Sequence, residues 1–249
     1  MDESLLFSII FAAAIVAGLI QNIAGFGASV VMLMVLPRFF NVLQATSLNQ
    51  AICTGTTIIL AVYFRKYIEW KKILAPGLAF MVAAIFTIRM LKNIDLAWLG
   101  AALGLFLLLL SFYYLFWAKK IEVHPTPLLA VVFGLLSGVL SGLFSIGATL
   151  MAMYFLAVTE DRNHYMADLQ TVLAVNNIVS LSTRAATGLY TASLILPTAI
   201  GFGGILLGQF IGSRIAGKMD GEKIKRFIYV LVGLTGIETI IKQLMKIFG

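Results

Sequence analysis

Ten runs of apolar residues alternate with short polar or charged segments along the chain, at residues 4–20, 24–37, 44–63, 73–90, 96–117, 127–141, 145–157, 165–187, 193–214 and 224–246. A helix rises about 1.5 Å per residue, so most of these runs are long enough for a hydrocarbon layer of about 30 Å. The runs at 24–37 and 145–157 are too short. The pattern predicts an all-α polytopic membrane protein, with either eight full spans or ten segments in which each short run forms a hairpin with the run before it.

The basic residues favour the hairpins, because Lys and Arg accumulate in cytoplasmic loops. With eight spans, the 18 Lys and Arg residues divide nine against nine. With hairpins, twelve share one side: Arg65, Lys66, Lys71, Lys72, Lys119, Lys120, Arg162, Arg214, Lys218, Lys223, Lys225 and Arg226. The ten-segment arrangement is therefore predicted, with these twelve residues on the cytoplasmic side and both termini outside.

One glycine-rich sequence motif occurs twice. In the stretches 18–30 and 138–150, Gly18 aligns with Gly138, Gly27 with Gly147, and Ser29 with Thr149. The repetition predicts two homologous halves, residues 1–118 and 128–249, joined by a linker at 119–127 that contains two prolines and several charges. An odd number of membrane passages in each half would make the repeats inverted.

Glycine and polar residues inside an apolar run are typical of a helix that breaks in the membrane at a transporter site. A helix that begins at such a break has backbone N–H groups without partners and about half a positive charge, so it attracts anions. The alternative is that these glycines only let helices pack closely. Their occurrence in both halves favours the site.

The candidate substrate-binding residues lie at the two breaks and on the helices that follow them. They are Gln21, Asn22, Gly25, Phe26, Gly27, Ala28, Ser29, Asn49, Gln50, Ser145, Ile146, Gly147, Ala148, Thr149, Asn176 and Asn177. Each amide among them is alternatively a helix-to-helix hydrogen-bonding group. Asp168 and Arg184 are interpreted as interfacial or paired charges, and the glycines at 204, 208 and 212 as a packing face.

Composition excludes several classes of function. A mean hydropathy of +1.00 and 61% hydrophobic residues exclude a soluble domain. The single cysteine, Cys53, excludes an internal disulfide, and the only histidines, His124 and His164, make a catalytic, metal or haem cluster improbable on sequence grounds. We therefore expect no enzyme activity, cofactor or metal. The net charge of +7 is explained by basic loops and requires no nucleic-acid partner.

On these residues the chain resembles the sulfite exporter TauE/SafE family of membrane transporters. The similarity covers two homologous halves with glycine-containing hairpins, the sequence Ala45-Thr46-Ser47 at the start of a span, and a glycine-spaced span from Gly201 to Arg214. The resemblance implies transport of sulfite, thiosulfate, a sulfonate or a related small anion across the cytoplasmic membrane, often by export.

The chain departs from the family pattern in having fewer glycines at each break and Asp168-Leu-Gln170-Thr171 in place of a small hydroxyl-containing turn. An acidic residue near an anion site would have to be protonated or paired, so Asp168 is a candidate for proton coupling. Two other functions stay open, an anion channel and a membrane scaffold or sensor subunit. The apolar outer faces allow a homodimer without requiring one.

Overall fold

The computed structural model describes residues 3–91, 94–116, 126–215 and 221–248, and these form ten α-helices. The helices of the first half are α1 (Glu3–Ala24), α2 (Ala28–Val35), α3 (Val42–Phe64), α4 (Trp70–Met90) and α5 (Leu96–Phe116). Those of the second half are α6 (Pro127–Phe144), α7 (Ala148–Val158), α8 (Arg162–Ala186), α9 (Ile195–Ile215) and α10 (Gly221–Phe248). The predicted all-helical class is confirmed, and each predicted run contains one helix.

Six of the described helices, α1, α3, α4, α5, α6 and α9, are long and apolar enough to cross a membrane. The two short runs are the short apolar helices α2 and α7. Helix α8 has 25 residues but carries Asp168, Gln170, Asn176, Asn177 and Arg184, so its composition is too polar for that group. Length and composition thus give six candidate spans, while the number of full spans stays a prediction.

Packing of the helices follows the same scheme in both halves. Helix α1 packs parallel to α9 of the other half, as successive glycine contacts show: Gly204 with Phe11, Gly208 with Ile15, and Gly212 with Leu19. In the equivalent pair, α6 packs parallel to α4, with Gly134 on Pro76 and Gly142 on Thr87. Exchanging the two halves therefore converts one helix pair into the other.

Helices that correspond in the two halves pack against each other and run antiparallel. In the pair α3 and α8, Thr46 lies beside Arg184 and Gln50 beside Asn177. In the pair α5 and α10, Gly104 meets Gly236 and Ser111 donates to the Tyr229 carbonyl. Antiparallel packing of these helices is compatible with inverted repeats, and the inverted arrangement itself stays a prediction.

Several glycines serve close helix packing. A Cβ on Gly18 would lie 2.1 Å from the Ile205 carbonyl oxygen, and one on Gly138 would lie 2.4 Å from that of Phe80. At Gly208 the corresponding distance to the Ile15 carbonyl oxygen is 2.0 Å. The packing interpretation is thus confirmed for the face with Gly204, Gly208 and Gly212. Close helix packing also explains Gly18 and Gly138, the first glycines of the repeated motif.

Polarity is distributed as expected for a protein surrounded by lipid. Amide side chains are buried, with Asn49, Gln170 and Asn176 all 0% exposed, whereas α4 exposes Leu78, Val82 and Phe86. Buried amides find partners on neighbouring helices, and exposed apolar side chains meet acyl chains. Residues 119–125, which are most of the predicted linker at 119–127, lie outside the described residues, so the boundaries of the two halves stay predictions.

Candidate functional site

The first break separates α1 from α2 at residues 25–27. Gly25 and Gly27 have φ angles of 81° and 102°, in the left-handed region that favours glycine. The Gly25 N–H donates to the Gln21 carbonyl at 2.8 Å, which closes the last turn of α1. The chain then reverses through Phe26, and α2 begins at Ala28. The two glycines thus provide the backbone conformation that the hairpin needs.

The second break separates α6 from α7 at residues 145–147. Here the left-handed residue is Ser145, with φ 60°, and its Oγ donates to the Thr46 carbonyl at 2.8 Å. Gly147 has ordinary helical angles but touches the Ser137 carbonyl so closely that a Cβ would lie 2.4 Å from its oxygen. Glycine is needed at 147 for space, and at 25 and 27 for conformation.

The two helices that start at the breaks have no side-chain cap. Helices α3, α6 and α8 are capped by Asn41, Thr126 and Asp161, whose side chains accept N–H groups of the first turn. Helices α2 and α7 have Gly27 and Gly147 at the capping position and no side-chain cap. In α7 the Thr149 N–H donates to the Ile146 carbonyl at 3.3 Å, and the other N–H groups of the two first turns have no side-chain cap.

Both breaks border one small internal cavity of about 20 Å³. The predicted residues that line it are Gln21, Phe26, Gly27, Ala28, Ser29, Ser145, Gly147, Ala148 and Asn177. It contains no charged side chain among the described residues that line it. A volume of this size holds about one water molecule. The structure therefore brings the two breaks, 120 residues apart in the chain, to a common polar space.

Five further residues line the cavity that the sequence did not single out: Cys53, Thr57, Phe80, Ser141 and Leu173. Phe80 and Leu173 are ordinary apolar residues of helices, and no local signal distinguishes them. Thr57 and Cys53 follow Asn49 and Gln50 by one to two helical turns. The period of α3 could have placed them on the same face.

Other predicted residues lie around the cavity without lining it. Gln50 Nε2 donates to Asn177 Oδ1 at 2.6 Å, and Asn177 Nδ2 donates to Thr57 Oγ1 at 3.2 Å, which links α3 to α8. Asn176 Nδ2 donates to Ser141 Oγ at 3.0 Å. These amides connect helices and at the same time orient two cavity hydroxyls.

The remaining predicted residues also lie outside the lining. They are Asn22, Gly25 and Ile146 at the breaks, Thr149 in the first turn of α7, and Asn49, whose Oδ1 accepts from Cys53 Sγ at 3.5 Å. The Gly25 carbonyl accepts from Gln170 Nε2 at 2.6 Å. A role in substrate binding stays a prediction for each of them.

Asp168, the predicted coupling residue, is fully buried but does not line the cavity. Its Oδ1 accepts the Glu69 N–H at 2.8 Å, at the residue that precedes α4, and its Oδ2 has no partner among the described residues. This contact joins α8 to the start of α4. The coupling role stays a prediction.

Arg184 is the one buried cation among the described residues of the helices around the cavity. Its Nη2 donates to the Gly142 carbonyl at 2.6 Å and the Ser141 carbonyl at 3.4 Å, in the last turn of α6. Its Nη1 donates to Thr46 Oγ1 and Ser47 Oγ, both at 3.2 Å. Arg184 is therefore buried among hydroxyls and carbonyls and has no carboxylate partner among the described residues, while its interfacial position stays a prediction.

A larger space lies on the other side of Phe26. This vestibule of about 400 Å³ is lined by Ile23, Phe26, Leu156, Thr159, Glu160, Asp161, Arg162, Tyr165 and Met166. Phe26 lines both the vestibule and the inner cavity, and its ring lies 5.9 Å from that of Tyr114. Phe26 is therefore a residue common to the walls of the two spaces.

Six apolar helices of spanning length are those of an integral membrane protein. The family model for the sulfite exporter TauE/SafE matches residues 10–239, so the chain belongs to this family. Members of the family are membrane transporters. No curated protein and no solved structure gives a match.

Proposed function

We propose that the protein is a secondary transporter or facilitator that carries a small sulfur-containing anion, such as sulfite, thiosulfate or a sulfonate, across the cytoplasmic membrane. The observation that carries this proposal is the common cavity at the two uncapped helix starts, Ala28 and Ala148. Membership of the TauE/SafE family supports the anion class.

The electrostatics of the cavity suit such a substrate. Each helix N-terminus carries roughly half a positive charge, so two of them together provide about one. Ser29 and Ser141 add hydroxyls, and Asn177 adds an amide. These groups bind through dipoles, without an ion pair at the anion, and moderate binding of this kind allows release as well as entry.

The size of the cavity gives the proposal a mechanism. At about 20 Å³ the space between the breaks is too small for an oxyanion, so the hairpins must separate for the anion to enter. We propose that the inverted halves alternate in this movement, because equivalent helices α3 and α8 run antiparallel. Phe26 would move first, since it lines both the cavity and the vestibule.

The vestibule suggests the side from which the anion enters. Tyr67 and His164 rings lie 5.6 Å apart, so the start of α8, which borders the vestibule, lies beside the basic segment with Arg65 and Lys66. By the distribution of basic residues this is the cytoplasmic side. An anion leaving an inside-negative cell gains about 2.3 kcal/mol per charge per 100 mV, so export requires no coupling ion.

Thermal unfolding in detergent tests ligand binding directly. A ligand at one hundred times its dissociation constant should stabilise the protein by about 2.7 kcal/mol, so sulfite, thiosulfate and methanesulfonate should raise the melting temperature. Choline and glucose serve as cationic and neutral controls. Equal responses to all five solutes, or no response at saturating anion, would contradict the proposal.

Flux in liposomes separates the proposed transporter from the two alternatives. A transporter should show saturable flux of labelled thiosulfate and acceleration by unlabelled thiosulfate on the opposite side. A channel would give flux that does not saturate and no such acceleration. A scaffold or sensor subunit would move no label.

A further inference from the structure

We infer that Arg184 supplies the fixed positive charge of the anion site, from its contact with the cavity-lining residue Ser141, and holds the second break in place. The inference rests on the proposed function and deepens it. Arg184 does not line the cavity, but its guanidinium contacts the backbone of Ser141, which does. It is a positioning residue with a long-range electrostatic effect.

The burial of Arg184 needs an explanation. The side chain is 0% exposed, and no carboxylate lies within 4.0 Å of its guanidinium in the part of the chain that the structure describes. Transfer of an isolated charge into a low-dielectric interior is costly, and buried charges in membrane segments are almost always paired or functional. An arriving anion would provide the missing negative charge.

The hydrogen bonds explain how the charge is tolerated when no anion is bound. The guanidinium donates to two carbonyls in the last turn of α6, where the helix dipole is negative, and to two hydroxyls in the first turns of α3. This arrangement fits the planar fork of arginine, and a lysine could satisfy only part of it. Its Nε has no partner among the described residues.

The same contacts connect the charge to the second break. Ser145 Oγ donates to the Thr46 carbonyl, and Thr46 Oγ1 accepts from Arg184, so α3, α8 and the break form one network. The carbonyls and hydroxyls are neutral, so the network as a whole keeps a net charge of about +1 beside the cavity. Its field should therefore attract an anion in proportion to the charge of that anion.

The test compares two transported anions of different charge, divalent thiosulfate and monovalent methanesulfonate, in liposomes. Both stay fully ionised across the neutral and alkaline range. The variants are Arg184→Gln, which removes the charge, and Arg184→Lys, which keeps it at a pH low enough for the lysine to stay protonated. Arg38→Gln is the matched control, because Arg38 is exposed and pairs with Glu238 at 2.8 Å.

We expect Arg184→Gln to raise KM for both anions and to raise it about tenfold more for thiosulfate, since the Coulomb energy scales with ligand charge. Arg184→Lys should restore most of that difference, and Arg38→Gln should show none of it. An equal change for both anions, or no change, would overturn the inference and leave the transport function standing. Absence of flux in the unmodified protein would refute the proposed function itself.

If Arg184→Gln does not fold, Arg184→Lys still decides through its pH profile. A buried lysine loses its proton at a much lower pH than an exposed one, whereas arginine stays charged. The groups that face residue 184 from α3 and α6 are hydroxyls and carbonyls, which do not titrate in this range. Affinity for thiosulfate should therefore fall with rising pH in the lysine variant alone. The same pH profile of affinity in the lysine variant and the unmodified protein would overturn the inference.

Discussion

The two helix breaks correspond in sequence and border the same cavity, yet they are built differently. The first break has two glycines in left-handed conformations and lies next to a vestibule of about 400 Å³. The second has Ser145 in the left-handed conformation and is held by the buried guanidinium of Arg184. From this difference we propose that the first break provides the movable entrance and the second a fixed wall.

Helix α8 contacts residues at both breaks, those of the first break near its start and those of the second near its end. Near its start, Arg162 Nη2 donates to the Asn22 carbonyl at 3.3 Å, and Gln170 Nε2 donates to the Gly25 carbonyl. Near its end, Arg184 donates to the Gly142 carbonyl. The carbonyls at the end of α1 thus face an exposed arginine, whereas those of α6 face a buried one. Water can replace the first contact more easily than the second.

The largest effect should come from alanine at Gly147. Its Cβ would lie 2.4 Å from the Ser137 carbonyl oxygen, which belongs to the backbone, so Gly147→Ala should destabilise by about 3 kcal/mol or more. At Gly27 the nearest atom is the flexible Ile20 Cγ2 at 3.2 Å, and the main cost is backbone strain of about 1–2 kcal/mol. Thermal unfolding in detergent measures the stability of both variants. Equal losses of stability would contradict the proposed difference between the two breaks.

The next effect concerns the entrance. Phe26→Ala should join the vestibule to the cavity and raise the rate of anion entry about tenfold, because Phe26 lines both spaces. The matched variant is Phe80→Ala, which removes a ring from the cavity wall on the second break and should lower stability without speeding entry. Stopped-flow thiosulfate uptake distinguishes them. A faster rate in Phe80→Ala than in Phe26→Ala would refute the assignment of the entrance.

A smaller effect separates the two serines of the breaks. Ser29 Oγ has only a long contact of 3.5 Å to Cys53 Sγ, so it is available to the anion, and Ser29→Ala should weaken binding by about 1 kcal/mol, roughly fivefold, with little change in stability. Ser145 Oγ already donates to the Thr46 carbonyl, so Ser145→Ala should lower stability and leave KM near its original value. Lower stability in Ser29→Ala together with a raised KM in Ser145→Ala would contradict this account.

The smallest effect is a pH dependence at the start of α8, which borders the vestibule. The Asp161 carboxylate raises the pKa of His164 above the usual 6.5, and both residues lie where α8 begins. Because the folded-state pKa is the higher one, the stabilisation is present below about 6.5 and is lost as the pH rises through the raised value. His164→Gln should abolish this slope in thermal unfolding between pH 6 and pH 9 (roughly the range of a perturbed histidine). An unchanged slope would show that the pair contributes nothing.

The positions of both breaks could be predicted from sequence, because glycine and polar residues interrupt runs too short to span the bilayer. Gly18 and Gly138 carry the same sequence signal as Gly27 and Gly147, yet they serve helix packing. Sequence alone does not distinguish them, because the difference depends on which helix lies opposite each glycine.

The role of Arg184 could not be predicted for a related reason. Its partners, Thr46 on α3 and Gly142 on α6, lie 138 and 42 residues away along the chain. Phe80 and Leu173 reach the cavity through the packing of α4 and α8, which the hydrophobic pattern does not determine. Composition indicated the polar residues of the site, and three-dimensional packing selected among them.

The most direct test of an anion held between the two breaks uses Cys53, the single cysteine of the chain, which lines the cavity. A small mercurial should label this thiol in the purified protein, and the labelling rate can be followed with increasing methanesulfonate. We predict that the anion slows labelling with the same half-saturating concentration as it shows in transport. An unchanged labelling rate at saturating methanesulfonate would contradict the account.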